Sequence, residues 1–227
     1  MTSQSHDEAS TRPNLSRQRV VLSAVAYADG YGLDALSMRK LGNELGVEAM
    51  SLYNHVANKD DLVAGMIDLA MSEIDLPDPS GDWKTELEKS SHSAHDTLVA
   101  HPWIAGILMK PIAATPHRFD YMEAVLATLR SGGLSIELTH HAFHAIETHT
   151  IGYTMQEVAF DYDEETIKTA ASDFLKTLDV DRYQYLAEHI NHHINPTDNE
   201  EKTFSFGLRL ILDGIERIRD HQVSLPV

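Results

Sequence analysis

The chain has 227 residues, no cysteine and a formal net charge of −17 at pH 7. The absence of cysteine excludes disulfides, thiolate metal sites and cysteine nucleophiles, and no apolar run approaches the ~20 residues that a membrane-spanning helix needs. The first residues lack the basic and apolar pattern of a signal peptide, so we expect a cytoplasmic protein that makes no membrane contact.

The first predicted helix follows residues 1–14, which we expect to form a flexible segment. Ser16 is suited to cap a helix over residues 17 to about 29, because its hydroxyl can accept a hydrogen bond from a free backbone N–H of the first turn. Gly30 and Gly32 are expected to end this helix. Its buried face is predicted from apolar residues at helical spacing. These residues are Val21, Ala24, Val25 and Ala28.

A helix, a glycine turn and a second helix fit within residues 37–59, SMRKLGNELGVEAMSLYNHVANK. Ser37 is a good N-cap, and Gly46 stands where glycine can adopt the left-handed conformation that ends helices. Gly42 lacks a side chain at the place where the second helix would cross closely. This is the format of a helix-turn-helix, whose second helix enters the major groove of DNA.

The second helix of this motif has a buried side and a side suited to DNA. Leu52 and Val56, four residues apart, form the predicted buried stripe. The remaining positions are small, aromatic or hydrogen-bonding, which suits contacts with base edges and phosphates. They are Ala49, Met50, Ser51, Tyr53, Asn54 and His55. The alternative is an ordinary helical hairpin with a solvated face.

A further helix is expected to open at Lys59 and to run as a connector that ends before Pro77. Nothing alternates with a period of two over a useful length, so strands are not expected. The sequence therefore predicts an all-α protein of two parts, for which a chain of this length has room. A three-helix DNA-binding domain with its connecting helix occupies residues 15–76, and a larger helical domain for ligand binding and dimerisation occupies residues 77–227.

Five blocks in the first part match a known family in sequence and in spacing. They are Arg39-Lys40-Leu41, Leu45-Gly46-Val47, Ser51-Leu52-Tyr53, His55-Val56 and Asn58-Lys59. By these blocks, residues 15–71 resemble the tetracycline-repressor (TetR) family of transcriptional regulators. The resemblance implies a set of residues at the family's DNA-contact positions. They are Ser37, Arg39, Ala49, Met50, Ser51, Tyr53, Asn54, His55 and Lys59.

The resemblance also divides these positions by role. Phosphates would mostly be held by Ser37, Arg39, Tyr53 and Lys59. Bases would mostly be read by Ala49, Met50, Ser51 and Asn54. The tetracycline repressor itself has polar or rigid residues where Ala49 and Met50 stand, so we expect an operator that differs from the tetracycline operator.

Two helices are predicted in the first half of the larger domain. The first begins near Asp82 or Trp83, and Gly132 with Gly133 ends the second. The buried face of the first is predicted to be Leu87, Ser91, Ala94, Leu98 and His101. The apolar repeat of the second is Phe119, Met122, Leu126 and Leu129.

Two more helices are predicted in the second half. Ser135 is suited to cap a long helix that ends at about Ala159, and a strongly amphipathic helix runs from Asp198 to about Asp220. The apolar stripe of the latter is Phe204, Leu208, Ile211, Ile215 and Ile218. Residues 161–179 between them are acidic and less strongly patterned.

The larger domain also resembles the tetracycline-repressor family, more weakly. The resemblance rests on residues 133–137 and 204–208, with Trp83 and His101-Pro102 in the right order before them. It implies a homodimer held by a four-helix bundle and a small-molecule inducer. Binding of the inducer would move the two DNA-reading heads and release a pseudo-palindromic operator.

The tetracycline site of that family is not kept. The repressor holds a magnesium chelate through a histidine and a threonine, but the matching residues 107–111 contain no histidine. The carboxylate that orients the metal's water matches Gln156. The drug-binding asparagine and a pocket phenylalanine fall near Ser90 and Ala94. We therefore expect an apolar or aromatic inducer in place of tetracycline–magnesium.

A pocket for such an inducer is expected to be mostly apolar, with one or two polar groups. The apolar candidates are Trp103, Leu108, Met109, Tyr121, Phe143 and Tyr153. The polar candidates are His92, His144 and Glu147. The alternative for each residue is that it simply fills the core.

The chain contains 14 histidines, of which His140 and His144 share a helix face as a pair of metal ligands would. The alternative is that these histidines form hydrogen bonds at an interface or pocket, and we assign no metal site and no cofactor. No serine or threonine lies in a nucleophile elbow, and no glycine-rich loop follows a strand. The sequence therefore does not predict an enzyme.

The charge is divided unevenly along the chain. Residues 1–63 hold 6 basic and 8 acidic side chains, whereas residues 64–227 hold 12 and 27. Affinity for DNA is therefore expected to depend on a few local phosphate contacts.

The leading hypothesis is a sequence-specific, homodimeric transcriptional repressor that a small molecule releases from its operator. One alternative is a DNA-binding regulator without a small-molecule ligand. The other is a helical small-molecule-binding protein or enzyme with a vestigial helix-turn-helix.

Overall fold

The computed structural model describes residues 15–108, 114–159, 164–195 and 202–221, and all regular structure in these ranges is helical, which confirms the predicted all-α fold. The helices are α1 (Arg17–Tyr31), α2 (Met38–Leu45), α3 (Ala49–Leu52), α4 (Lys59–Met71), α5 (Trp83–Ala100), α6 (Pro102–Leu108), α7 (Pro116–Ser131), α8 (Ile136–Ala159), α9 (Glu164–Thr177), α10 (Gln184–Ile194) and α11 (Thr203–His221). None of these helices is both long and apolar enough to cross a membrane. The N-terminal segment 1–14 lies outside the described residues.

The predicted caps of the first two helices are confirmed. Ser16 Oγ and Ser37 Oγ each accept a hydrogen bond from the backbone N–H three residues further on, at 3.2 and 3.3 Å. Gly46 ends α2 in the left-handed conformation, with a φ of 68°. α1 is longer than predicted. It continues through Gly30 to Tyr31 and is capped by Gly32, where φ is 78°.

The second helix of the helix-turn-helix is shorter than the sequence pattern indicated. α3 is regular only over Ala49–Leu52. Beyond it, the backbone N–H groups of Tyr53 and Asn54 donate to carbonyls three residues back, at 3.3 and 3.4 Å. These bonds tighten the chain into a 3₁₀-like turn. Leu52 and Val56 are nevertheless both buried, so the predicted buried stripe is confirmed.

Two apolar cores meet along α4. The first half of α4 contributes Leu62 and Met66 to the core of the head, which is formed with α1, α2 and α3. The second half contributes Ile67 and Ala70 to the core of the body, which is formed with α5–α8 and α11. One continuous helix therefore belongs to both cores.

The first helices of the body follow the prediction, with one correction in α7. α5 begins after the capping residue Asp82, and all five residues predicted for its buried face are buried. In α7, Phe119 is 56% exposed, so its predicted place on the buried stripe is wrong. The buried residues of α7 are Tyr121, Val125, Thr128 and Leu129. The buried face of α7 therefore contains Tyr121, whose hydroxyl donates a hydrogen bond to Glu147 of α8, and Phe119 lies outside that face.

The long helix α8 begins as predicted. The backbone N–H of Leu138 donates to Ser135 Oγ at 3.1 Å, and the described part of the helix runs through Ala159. α11 also keeps its predicted stripe, although Leu212 is fully buried while Ile211 is only partly so.

A helical hairpin that the sequence pattern did not indicate lies between α8 and α11. α9 occupies much of the acidic stretch, and it packs chiefly on α10. Several of the apolar side chains of this hairpin are exposed. They include Ile167, Phe174, Tyr185 and Leu186.

Candidate DNA-binding surface and ligand cavity

The side chains predicted to contact DNA are accessible on α3 and the turn that follows it. Met50 is 74% exposed and Tyr53 is 43% exposed. Asn54 is exposed as well. Three further residues are partly accessible, namely Ala49, Ser51 and His55. This stretch therefore offers apolar, aromatic and hydrogen-bonding groups together, as contacts with bases and phosphates require.

The cations near this surface differ in what they already bind. Lys40 Nζ donates to the carbonyl oxygen of Ala35 and Lys59 Nζ to that of Leu36, each at 3.0 Å. The Arg39 side chain is exposed, and its guanidinium forms no hydrogen bond or ion pair with any residue that the structure describes. Arg39 can therefore meet a phosphate without giving up an existing bond.

The close approach of α2 and α3 depends on Gly42. A Cβ atom at this position would lie 2.9 Å from the carbonyl oxygen of Val47 and 3.2 Å from the backbone nitrogen of Ala49. Both neighbours are backbone atoms, which cannot move aside as a flexible side chain can. The close crossing predicted from the sequence is thus confirmed.

An ion pair joins the start of α1 to the first turn of α4. The Arg17 guanidinium donates to both carboxylate oxygens of Asp61, at 2.8 and 2.7 Å, and to the carbonyl oxygen of His55 at 3.2 Å. Asp61 also accepts a hydrogen bond from the backbone of Ala57 at 2.8 Å. The Arg17 hydrogen bond is the largest cause of a pKa of about 2 for Asp61.

A small cavity lies in the body between α4, α5, α6, α7 and α8. Its volume is about 20 Å³, which suffices for about one water molecule. Most of its wall is apolar, and the end of α4 contributes to it. The apolar lining residues are Met71, Ile74, Ala94, Leu98, Leu108, Met122 and Ile151.

Four polar side chains complete the wall, namely Arg118, Tyr121, Glu147 and Thr150. The Tyr121 hydroxyl donates to Glu147 Oε1 at 2.9 Å. Burial raises the pKa of Glu147, although the Tyr121 hydrogen bond and the charge of Arg118 oppose this shift. Burial also raises the pKa of Tyr121, which keeps the hydroxyl protonated as a donor. Thr150 is 2% exposed, and its Oγ1 has no hydrogen-bond partner in the described part of the chain.

The cavity contains only part of the ligand set predicted from the sequence. Leu108, Tyr121 and Glu147 line it, and Met109 lies outside the described residues. Five other candidates do not line this cavity, namely His92, Trp103, Phe143, His144 and Tyr153. Phe143 is buried in the core of the body, whereas its neighbour His144 is exposed. Thr150 and Arg118 were missed, because periodicity does not tell a cavity wall from any other buried position.

Two of those five candidates pack around the ring of Phe204. His92 and Tyr153 lie with their ring centroids 5.1 and 5.5 Å from that of Phe204. His95 and His149 stack on the same ring, at 4.3 and 5.1 Å. This cluster joins α11 to α5 and α8, so these aromatic residues serve the packing of the body.

A histidine at the end of α5 joins the body to the head. His101 Nδ1 lies 2.8 Å from Asp29 Oδ1 of α1, and its Nε2 lies 3.2 Å from Glu73 Oε2. The Trp103 indole N–H donates to the same oxygen of Asp29, at 2.7 Å. Burial opposes protonation of His101, but the hydrogen bonds to the two carboxylates outweigh it and raise the pKa of His101. Trp103 therefore lies at the head–body junction and not in the cavity.

The histidine pair on α8 is exposed at the surface. The ring centroids of His140 and His144 are 4.6 Å apart, and both side chains are open to solvent. Within the ranges described, no group of three or more histidine and acidic side chains is placed to hold a metal ion.

Comparisons with known proteins extend over both head and body. Residues 76–219 match the family model of the tetracyclin repressor-like, C-terminal domain. The chain is 30% identical over 215 residues to the HTH-type transcriptional repressor DrrR1 of Streptomyces coeruleorubidus, covering 90% of this chain and 78% of that protein. It is 27% identical over 216 residues to the class E tetracycline repressor protein of Escherichia coli, and this match covers 94% of this chain and 96% of that protein.

Solved structures show the same architecture. Apo ActR from Streptomyces coelicolor matches 92% of this chain and 98% of its own, with a TM-score of 0.76 at 28% identity. ActR in complex with actinorhodin matches 90% of this chain and 98% of its own, with a TM-score of 0.71 at 27% identity.

Proposed function

The chain belongs to the tetracycline-repressor (TetR) family of transcriptional regulators, and from this premise we propose that it is a homodimeric repressor that a small molecule releases from its DNA operator. The DNA-binding unit comprises residues 15–76, and the ligand-binding and dimerisation unit comprises residues 77–227. The protein acts in the cytoplasm as a regulator and not as an enzyme. The naming of DrrR1 as a repressor and the complex of ActR with actinorhodin support the two parts of the proposal.

The observation that carries the proposal is that α4 is packed into the cores of both the head and the body. Leu62 and Met66 in its first half are buried in the core of the head, at 1% and 0% exposure. Met71 at its end and Ile74 just beyond it line the cavity of the body. A ligand that enters the cavity therefore acts directly on a helix that is packed into the core of the head.

The size of the cavity indicates how binding and release are coupled. Sites for small molecules usually measure about 300–1,000 Å³, whereas this cavity measures about 20 Å³. A ligand must therefore separate the helices that line the cavity, α4 among them. A ligand that binds only the expanded form shifts the population away from the compact form. We assign DNA binding to the compact form.

The DNA-binding mode follows from the exposed surface of α3. Each head of the dimer places α3 in the major groove, and the two half-sites lie about one DNA turn apart. Residues 64–227 carry 27 acidic and 12 basic side chains, so the body repels DNA at long range. Binding therefore depends on local contacts from α2, α3 and their flanking residues.

In vitro selection of DNA from a random pool tests the DNA-binding part of the proposal. The purified protein at about 100 mM salt, near physiological ionic strength, should enrich a pseudo-palindrome. Tyr53→Ala should bind every recovered sequence more weakly, because it removes an exposed aromatic group from the contact surface. Tyr185→Ala, which removes an 82% exposed tyrosine from α10, is the matched control. A pool without enrichment contradicts the proposal.

The recovered operator then serves as the probe for the ligand. A compound that dissociates the complex and raises the melting temperature of the free protein identifies an inducer. A protein that binds its operator tightly but is released by no compound fits the alternative of a regulator without a small-molecule ligand.

A further inference from the structure

Two polar groups of the cavity, Glu147 and Thr150, can accept hydrogen bonds from a ligand. We propose that the ligand of this cavity is a mostly apolar molecule whose polar end is a hydrogen-bond donor, an amine or a hydroxyl, held by Glu147 and Thr150. This inference rests on the proposed function, because it names the ligand chemistry of the same site.

The Tyr121–Glu147 pair leaves acceptors and no donor for a ligand. The Tyr121 hydroxyl directs its hydrogen to Glu147 Oε1 at 2.9 Å, so only the lone pairs of its oxygen remain. When it is ionised, the Glu147 carboxylate only accepts hydrogen bonds, and it can accept several at once. A donor on the ligand therefore finds partners on both residues.

Thr150 adds a third polar group on the same side of α8. It lies three residues after Glu147, and residues at this spacing are neighbours on one helix face. Its buried Oγ1 has no hydrogen-bond partner among residues 15–108, 114–159, 164–195 and 202–221. The next threonine on this face, Thr154, instead donates to the Thr150 carbonyl at 2.8 Å. Because a buried polar atom without a partner is costly, a ligand group that pairs with Thr150 Oγ1 is favoured.

Because Arg118 is a cation in the cavity wall, an anionic ligand is the alternative to be tested. Its Nη2 donates to the carbonyl oxygen of Leu108 at 3.0 Å, and its positive charge acts on Glu147. An anionic ligand could use this guanidinium, but its charge would lie in the same small cavity as the Glu147 carboxylate. The arrangement therefore favours a donor over an anion.

The rest of the wall sets the apolar character of the ligand. The lining near the polar groups is aliphatic or thioether, as in Leu98, Met122 and Ile151. Such side chains offer no polar partner, so only one end of the ligand can be polar.

Four probes that share a naphthalene ring and differ in one substituent test the proposal. They are 1-naphthylmethylamine, 1-naphthylmethanol, 1-methylnaphthalene and 1-naphthoate. Each is titrated into the full chain, with binding followed by naphthalene fluorescence. The amine and the alcohol should bind at least tenfold more tightly than the hydrocarbon and the carboxylate.

Two variants assign this preference to the cavity. Glu147→Gln should weaken binding of the amine at least tenfold, and Thr150→Val should reduce the preference for the alcohol over the hydrocarbon several-fold. Glu137→Gln and Thr148→Val remove the same groups from exposed positions of α8. They should change neither the affinity for the amine nor the preference for the alcohol over the hydrocarbon. The two cavity substitutions lie at different residues. If one variant does not fold, the other still tests the proposal.

Equal or tighter binding of the carboxylate overturns the proposal, as does failure of the donor probes to bind up to their solubility. Unchanged probe preferences in both cavity variants overturn it as well. The proposed function is judged separately by selection of an operator and by its release. If an anionic compound releases the operator, the repressor function stands and the donor assignment is wrong.

Discussion

Two helical glycines of the head should respond in opposite ways to alanine. At Gly42 the new Cβ would lie 2.9 Å from the backbone carbonyl of Val47, so α3 must shift. Gly42→Ala should lower the free energy of unfolding by about 1–3 kcal/mol, as overpacking usually does. At Gly30 nothing lies within 4 Å. Gly30→Ala should raise the free energy of unfolding by up to about 1 kcal/mol, because alanine has a higher helix propensity than glycine. Denaturant unfolding of both variants checks the signs.

The same pair of variants also separates stability from DNA binding. Gly42→Ala should weaken operator binding even where the protein is fully folded, because the shift displaces the exposed surface of α3. Gly30→Ala should leave operator binding unchanged. If Gly42→Ala were as stable and as active as the unmodified chain, the close approach of α2 and α3 would be contradicted.

Arg39 should contribute to DNA affinity but not to sequence preference. Its exposed guanidinium has no competing partner in the described ranges, so a phosphate is its natural counterion. Arg39→Ala should weaken binding to all sequences alike and reduce the slope of log affinity against log salt by about 1. Fluorescence anisotropy at several salt concentrations measures both effects. Lys176→Ala in α9 is the control for the removal of one positive charge. If Arg39→Ala weakened binding only for sequences that differ at one base position, Arg39 would be assigned to base reading.

Side-chain roles could be predicted from the sequence only where the partner is close along the chain. The caps at Ser16 and Ser37 were predicted because each acceptor and its donor are three residues apart. The Tyr121–Glu147 bond joins residues 26 apart, and the His101–Asp29 contact joins residues 72 apart. No periodicity indicates such pairs, because they depend on how separate helices are rotated against each other.

At the scale of helices, prediction succeeded where a core defines the apolar pattern. α5 and α8 each carry a regular buried face against the body, and their starts were predicted correctly. α9 packs chiefly on α10 and keeps apolar side chains such as Ile167 and Phe174 exposed, so no large core defines its apolar positions. α3 was predicted too long, because its buried stripe continues through a 3₁₀-like turn to Val56.

The contact between α5 and α1 should depend on pH through His101. Its pKa in the folded protein is raised above the ordinary value of 6.5 by hydrogen bonds to Asp29 and Glu73, which outweigh burial. A raised pKa means that the charged form stabilises the fold. This contribution is fully present below the unfolded pKa and is lost as the pH rises through the folded pKa. The difference in melting temperature between the unmodified chain and His101→Gln should therefore shrink as the pH rises from about 6 into the alkaline range.

A control at the protein surface distinguishes this effect from general titration. His141→Gln, which removes an exposed imidazole from α8, is the matched control for the substitution itself. If the difference for His101→Gln grew with pH, the neutral imidazole would be the stabilising form, and the charged contact with Asp29 and Glu73 would be contradicted.

For the whole molecule, the uneven charge makes assembly necessary for tight DNA binding. Residues 1–63 have more acidic than basic side chains, 8 against 6, and the body adds a large excess of acid. A single head therefore has little long-range attraction for DNA. Two heads held at a fixed distance gain affinity, because binding of the first raises the effective concentration of the second.

The face that joins two copies should include the exposed apolar side chains of α11. Phe206 and Leu210 lie four residues apart on one side of the helix, at 45% and 55% exposure. A charge placed there must be buried if α11 enters a four-helix bundle with its partner, and burial of an unpaired charge is strongly unfavourable. Leu210→Glu should therefore yield a monomer in light scattering and lose operator binding.

Phe119→Glu provides a matched control, because Phe119 in α7 is 56% exposed and lies outside α11. It introduces the same charge at an equally accessible apolar position, and it should leave both the dimer and operator binding intact. A Leu210→Glu protein that stays dimeric would place the interface elsewhere. A monomeric Leu210→Glu protein that still binds the operator with full affinity would contradict the argument from charge, because one acidic chain would then suffice to hold DNA.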